Sequence, residues 1–225
     1  MCGRFALFAP ASTLEEYFAL TEPVAAALAP RYNLTPGQAV AVVREHEGRR
    51  RLDLLRWGLV PFWAKDPAIG HRLINARLDG LTAKPSFRQA FARRRCLIAA
   101  SGFYEWGETG HARRQPFFIR PSGGEPLLAF AGLWERWRGA DGQPLDTCVI
   151  VTTAANEALA PIHERMPLMV PRADQALWLN PHSSVADVTA LAARAPALDA
   201  WPVSTAVNNP RHDEAGLIAP AADAQ

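Results

Sequence analysis

Cys96-Leu97-Ile98-Ala99-Ala100-Ser101-Gly102-Phe103-Tyr104-Glu105-Trp106 is the first of four β-rich runs, and these decide the fold class. Residues 115–119, 127–137 and 147–153 follow, and the glycine- and proline-bearing stretches 107–110, 121–126 and 139–144 punctuate them. Upstream, residues 39–45 and 51–59 read as two strands joined by a polar turn around Glu47-Gly48, a hairpin. Helical signals are short and lie at the margins. Ser12 or Thr13 can cap residues 14–20, with Glu15 and Glu16 in the first turn, and Pro85-Ser86-Phe87 starts a short helix ending at Phe91. Beyond Thr153 the pattern turns helical at 156–159, 172–179 and 185–193, and a polar tail is expected from about residue 211 to 225. Residues 30–38 and 61–70 read as loops, the second carrying Phe62 and Trp63 among prolines and charges. No repeat or linker divides the chain. The expectation is α+β: a single domain over residues 1–225, built on a strongly curved antiparallel β-sheet or barrel with peripheral helices. Pattern alone leaves a sandwich open.

The 225 residues are 49% apolar and 20% charged, the composition of a globular protein with a sizeable core rather than a disordered or collagenous chain. No apolar run approaches the roughly 18 residues that span a bilayer, and no basic segment leads into an apolar one at the start, so a cytoplasmic protein without a membrane partner is expected. Three cysteines, Cys2, Cys96 and Cys148, without CxxC spacing indicate neither a disulfide framework nor a structural zinc site; no metal or cofactor is expected. The net charge of +2 conceals a dipole. Residues 1–115 carry 17 basic against 10 acidic side chains, and residues 116–225 carry 7 against 12. Such asymmetry suggests an anionic partner, and arginine, the dominant cation here, grips phosphate in a bidentate fork and stacks on bases.

Five places could carry chemistry. Removal of Met1 would leave Cys2 with a terminal amine beside its thiol, groups with ordinary pKa values of about 7.7–8.0 and 8.5. Such a pair acts in sequence on an aldehyde: the amine condenses to an imine, and the thiol closes a thiazolidine ring on the same carbon. Gly3-Arg4-Phe5 surrounds the thiol with flexibility, a cation and an anchoring aromatic. Leu73-Ile74-Asn75-Ala76-Arg77 suits a strand end that presents an amide and a guanidinium. Strand alternation sets Glu105 opposite Tyr104 and Trp106; on a crowded face its carboxyl would be desolvated and fit for proton transfer, on an open face merely solvated. His163 sits between Pro161 and Pro167, a rigid mount for an acid/base. Phe62 and Trp63, ahead of Lys65, interleave aromatics with cations as single-strand binders do.

Together Met1-Cys2-Gly3-Arg4-Phe5, Arg31-Tyr32-Asn33 with Pro36, Trp57-Gly58-Leu59-Val60-Pro61, Ile74-Asn75-Ala76-Arg77, Lys84-Pro85-Ser86-Phe87-Arg88, Gly102-Phe103-Tyr104-Glu105-Trp106, Ala131-Gly132-Leu133-Trp134-Glu135, the segment from Pro161 through His163 to Pro167, and Val207-Asn208-Asn209-Pro210 resemble the SOS response-associated peptidase family. The motifs stand in the family's order and span almost the whole chain. The resemblance implies a protein that senses abasic sites in single-stranded DNA and cross-links itself to the ring-opened sugar through the terminal cysteine, shielding the lesion. Carried over by motif, Cys2 is the nucleophile; Glu105 and His163 move protons; Asn75 positions the amine or sugar; Arg4, Arg77 and Arg88 hold phosphates; Phe62 and Trp63 stack on or wedge against neighbouring bases. The implied partner is abasic single-stranded DNA, met at the nucleoid, with no obligate protein partner. The family name also implies an autoproteolytic step, for which ordinary removal of Met1 would suffice. Leu78-Asp79 departs from the family's longer carboxylate, so Asp79 receives no role, and Ser101 is a second small departure. Two other readings compete: a cysteine peptidase using Cys2 and His163 on peptides, and a non-catalytic single-strand-binding module.

Overall fold

The computed structural model describes residues 2–25, 28–108, 114–139 and 142–221. In chain order its elements are β1 (Arg4–Leu7), α1 (Ala11–Phe18), β2 (Arg31–Leu34), β3 (Ala39–His46), β4 (Arg49–Trp57), β5 (Asn75–Arg77), α2 (Arg88–Arg93), β6 (Arg95–Ala100), β7 (Gly102–Gly107), β8 (Gln115–Pro121), β9 (Leu128–Arg138), β10 (Pro144–Ala154), β11 (Arg165–Pro167), α3 (Gln175–Leu179), α4 (Val185–Ala190) and β12 (Leu198–Pro202). Short 3-10 turns fill several of the intervals.

Five strands close a barrel. The β-branched run of β3 pairs antiparallel with β4 and β6, β6 pairs with β9, and β9 with β10. β10 then returns to β4 in parallel, with Thr147 opposite Arg56 and Cys148 opposite Trp57. Where β4 ends, β10 takes β5 as its next parallel partner, from Ile150 opposite Asn75 to Thr152 opposite Arg77, and accepts β11 along its other edge. The β3–β4 hairpin turns on two left-handed residues, Glu47 (φ 51°) and Gly48 (φ 74°), a conformation that matches the twist of its strands.

The remaining strands form an open antiparallel sheet in the order β12-β8-β7-β1-β2. The chain passes from barrel to sheet at Ser101-Gly102. There the Ser101 N–H donates to the Ala6 carbonyl at 2.7 Å, and a Cβ on Gly102 would meet the Phe118 ring at 2.3 Å and the Ile119 carbonyl oxygen at 2.7 Å. Only glycine fits, which is why this β-rich run carries a break in its middle. One face of the sheet packs on the barrel through aromatics: Phe5 lies 5.2 Å from Trp57 and 5.9 Å from Phe130, and Phe103 lies 5.7 Å from Phe130. Each such pair adds about 0.5–1.5 kcal/mol beyond the area it buries. The other face, carrying Ala6, Tyr104 and Phe118, is covered by Val203, Val207 and Leu217 of the C-terminal segment.

The fold is therefore α+β on a closed barrel and a curved sheet, as the sequence predicts, with local corrections. The segment expected to trail away from residue 211 is packed as far as the described residues run: Asp213 accepts from Arg31 Nε and from the N–H groups of Tyr32 and Asn33, and Leu217 is buried. α1 starts at Ala11 with Pro10 as its cap, because the Pro10 carbonyl takes the N–H groups of Thr13 and Leu14; Ser12 and Thr13 lie inside the helix. The loop expected at 30–38 contains β2. Residues 156–159 form turns rather than a helix, held by the Asn156 carbonyl and side chain and stopped by Pro161. Among the described residues no helix is long and apolar enough to cross a membrane.

Candidate active site

The site begins at the head of β1. Pairing with β7 sets Arg4 opposite Tyr104, Phe5 opposite Phe103 and Ala6 opposite Gly102, so Phe5 enters the main core while Arg4 and Ala6 face the C-terminal segment. Cys2, just ahead of the strand, is wholly buried, with its Sγ 3.9 Å from the Arg4 carbonyl oxygen. Burial, helped by the nearby negative charge of Glu105, pushes the thiol pKa well above its ordinary value.

Asn75 heads β5 and donates from Nδ2 to the Cys2 carbonyl at 2.8 Å, which fixes the orientation of its amide. β5 is itself tied down: Ile150 N–H donates to the Ile74 carbonyl at 3.2 Å and Trp57 Nε1 donates to the same oxygen at 2.9 Å. The Asn75 Oδ1 is buried and meets no hydrogen-bond donor among the described residues. A buried acceptor left in this way costs about 1–3 kcal/mol.

Glu105 lies on the barrel-facing side of β7, opposite Phe117, while Tyr104 and Trp106 point to the other face. It is 3% exposed, and burial raises its pKa above the ordinary carboxyl value, with the charge of His163 among the influences acting in the other direction. His163 reaches Glu105 because its loop packs on the end of β7: a Cβ on Gly107 would lie 3.5 Å from Ile162. The His163 Nδ1 lies 2.9 Å from the Arg165 N and 3.1 Å from the Arg165 carbonyl oxygen, so the backbone of Arg165 orients the ring. Cys2, Asn75, Glu105 and His163, 161 positions apart at their extremes in the sequence, thus meet at one spot.

The cations expected to bind phosphate separate into different environments. Arg77 is exposed at the end of β5 and forked onto Asp79, with Nε and Nη2 at 3.3 and 3.0 Å from its two carboxylate oxygens. Asp79, given no role from sequence, is the counter-ion that a phosphate would replace. Close to Arg77 stands Arg165, overlooked in the sequence although it lies two residues from His163. Its Nη2 donates to the Thr152 carbonyl at 2.7 Å and hydroxyl at 3.0 Å, and burial, with Arg77's charge, lowers its pKa. Arg4 is a different case. Its Nη1 donates to Asn33 Oδ1 at 2.9 Å and to the Val207 carbonyl at 2.6 Å, and its Nη2 to the Asn208 carbonyl at 3.2 Å. Those bonds tie Arg4 to β2 and to the C-terminal segment. Arg88 is exposed at the first position of α2, and among the described residues no bond joins it to the site. Phe62 and Trp63 stand half exposed, at 53% and 49%, on the loop before β5. Among the described residues no three His, Cys, Asp or Glu side chains converge to hold a metal ion.

Residues 1–210 match the family described as SOS response associated peptidase (SRAP). The chain belongs to this family. It is 38% identical over 222 residues to the abasic site processing protein YoqW of Bacillus subtilis, across 97% of this chain and 99% of that one. It is 33% identical to the abasic site processing protein YedK of Escherichia coli, across 98% and 100% respectively. The abasic site processing protein HMCES of Gallus gallus is also 33% identical, across 85% of this chain and 66% of its own length. A crystal structure of a protein from Bacteroides thetaiotaomicron, 24% identical and covering 98% of this chain and 100% of its own, superposes with a TM-score of 0.86, so the SRAP fold is shared in full.

Proposed function

We propose that this SRAP chain processes abasic sites in single-stranded DNA by covalent capture through Cys2. The observation that carries the reading is the seat of Cys2, its carbonyl held by Asn75 with Glu105 and His163 alongside. Once Met1 is removed, the Cys2 amine attacks C1 of the ring-opened sugar, and the carbinolamine loses water to give an imine. The thiol then adds to that carbon, its proton passing to nitrogen, so one thiazolidine forms and one water leaves. Glu105, whose pKa burial raises, donates a proton to the departing hydroxyl and takes one back; His163 serves as the second acid/base, its ring oriented by the backbone of Arg165. The open Asn75 Oδ1 accepts from the amine or from a sugar hydroxyl. Arg77 and Arg165 hold the flanking phosphate, with Asp79 displaced, and Phe62 and Trp63 stack on adjacent bases.

The competing peptidase reading needs a thiolate made ready by a neighbouring cation. Burial and Glu105 both act on the Cys2 thiol in the opposite sense. Thiazolidine closure tolerates this, since the amine acts first and the thiol follows by proton transfer inside the same site. The test is intact-mass analysis after incubation with an abasic single strand: a denaturation-resistant adduct lacking one water is expected, and Cys2→Ala abolishes it. Normal adduct yield in Cys2→Ala would falsify the assignment.

A further inference from the structure

Of the motifs that carry the family resemblance, Val207-Asn208-Asn209-Pro210 has no part in the chemistry above. Its two asparagines differ. Asn209 Oδ1 accepts the Arg211 N–H at 3.1 Å and so serves its own turn, whereas Asn208, exposed at the end of a 3-10 turn over Thr205–Asn208, reaches across to the sheet. Its Oδ1 accepts the Trp106 Nε1 proton at 2.8 Å, and its carbonyl accepts from Arg4 Nη2 at 3.2 Å. Buried Val207 seats the turn: its side chain packs on the face that carries Tyr104 and Phe118, and its carbonyl accepts from Arg4 Nη1 at 2.6 Å and from Asn33 Nδ2 at 3.2 Å.

The two ends that Asn208 touches are those that bear the nucleophile and the acid. The ladder between β1 and β7 stops at Arg4 opposite Tyr104, although the same register, carried two residues further, would set Cys2 level with Trp106. Among the described residues no ladder pair joins the two strands beyond that point, so Cys2 and Glu105 sit on ends that the sheet does not bind to each other. On the outer face one residue takes both ends, Arg4 by its main chain and Trp106 by its side chain. Glu105 is thereby fastened through both of its neighbours, since Tyr104 Oη donates to the Tyr32 carbonyl at 2.8 Å while Asn208 holds Trp106. The Trp106 N–H also bonds the Glu105 carboxylate and is among the influences that favour its charged form, so a displacement of Trp106 reaches the acid directly.

We propose that Asn208 is a positioning residue for the capture reaction: its carbonyl on Arg4 and its Oδ1 on Trp106 hold the ends of β1 and β7 at the spacing at which Cys2 and Glu105 reach the same sugar carbon. The proposal rests on the capture reading above and adds to it a residue that touches neither the sugar nor the reacting groups. Its effect falls on the rate of bond formation, because misplacing groups that must meet in one transition state costs rate before it costs binding.

Single-turnover adduct formation on an abasic single strand, followed over a range of DNA concentrations, separates a maximal rate from a half-saturating concentration. Asn208→Ala should lower the maximal rate about tenfold and leave the half-saturating concentration within about twofold of the wild type. Asn208→Asp, which keeps an acceptor for the indole N–H, should recover most of that rate. Trp106→Phe lacks the donor and should match Asn208→Ala, and the double variant should be no slower than either, because all three lack the same bond. If Asn208→Ala fails to fold, Trp106→Phe removes that bond from the other side and carries the comparison. A wild-type maximal rate in the folded variants, an Asn208→Asp as slow as Asn208→Ala, additive losses in the double variant, or a raised half-saturating concentration at unchanged maximal rate overturns the proposal. A wild-type adduct with unaffected variants removes the role of Asn208 alone, whereas absence of any adduct in the wild type removes the capture reading with it.

Discussion

Asn75 meets two demands with one amide: Nδ2 pins the Cys2 carbonyl, while Oδ1 is held buried for a donor still to come. Asn75→Ala therefore loses a bond worth about 1 kcal/mol and removes an unsatisfied acceptor of similar cost. We expect a change in urea-melt stability within about 1 kcal/mol, together with a fall of tenfold or more in single-turnover adduct formation; a proportionate loss of stability instead would mean that Asn75 is purely structural. Glu105 has the opposite character, because its burial costs stability. Its folded pKa lies above the ordinary 4.5, so wild-type stability is fully present below that pH and falls as pH rises through the folded value. Glu105→Gln lacks this loss, and calorimetry from pH 4 to 8 should show the variant gaining on the wild type as pH rises. Alternation set Glu105 apart from Tyr104 and Trp106 but left open whether its face was crowded or solvated; the packing of β7 on the barrel makes it the buried one. The sequence could not reveal the role of Arg4, whose partner Val207 lies 203 positions away and offers only a backbone carbonyl, an atom every residue possesses.

At the scale of elements, legibility followed length and local punctuation. The β3–β4 hairpin was readable because the strands alternate tightly around Glu47-Gly48, and the four later β-rich runs because turns bound them. β5, three residues long, is read from Leu73-Ile74-Asn75-Ala76-Arg77 as a strand end, whereas β11, equally short, has no periodicity to read; both exist because β10 outruns β4 and β9 and needs partners for its last residues. Those two strands carry Asn75, Arg77 and Arg165, and the one without a sequence signal mounts Arg165. The hairpin also offers a direct check on its own chemistry. Glu47 adopts φ 51° without being glycine, a conformation that asparagine bears more easily. Glu47→Asn should stabilise the protein by roughly 0.5–1 kcal/mol in chemical denaturation, with no change in adduct formation.

For the whole molecule, the charge dipole read from composition is partly cancelled in three dimensions. Arg44 bonds Asp146 and Arg94 bonds Glu135, so two acids of the second half neutralise cations of the first, while Arg44–Asp53 and the Arg136 fork onto Asp146 pair charges within each half. Asp146 joins three strands in this network, and hydrogen bonding to Arg136 leads the influences that hold its pKa below the ordinary 3.8. Its contribution is present above that pH and lost as the pH falls through the depressed folded value. Asp146→Ala should cost about 1 kcal/mol at pH 7, because it leaves the largely buried Arg44 to Asp53 alone and frees Arg136, and the gap to the wild type should close under strong acid in pH-resolved melts.

The tie between Arg4 and the Val207 carbonyl has a consequence in time. β1 can pair early with β2, yet β7 on its other edge arrives about a hundred residues later and its last clamp later still. The hairpin and the β9–β10 pair can form from neighbouring sequence, whereas the strand that leads out of Cys2 is held on both edges only when loops of this length close. The pocket around Cys2 is thus closed by the longest-range contacts of its strand and comes into being only as folding finishes.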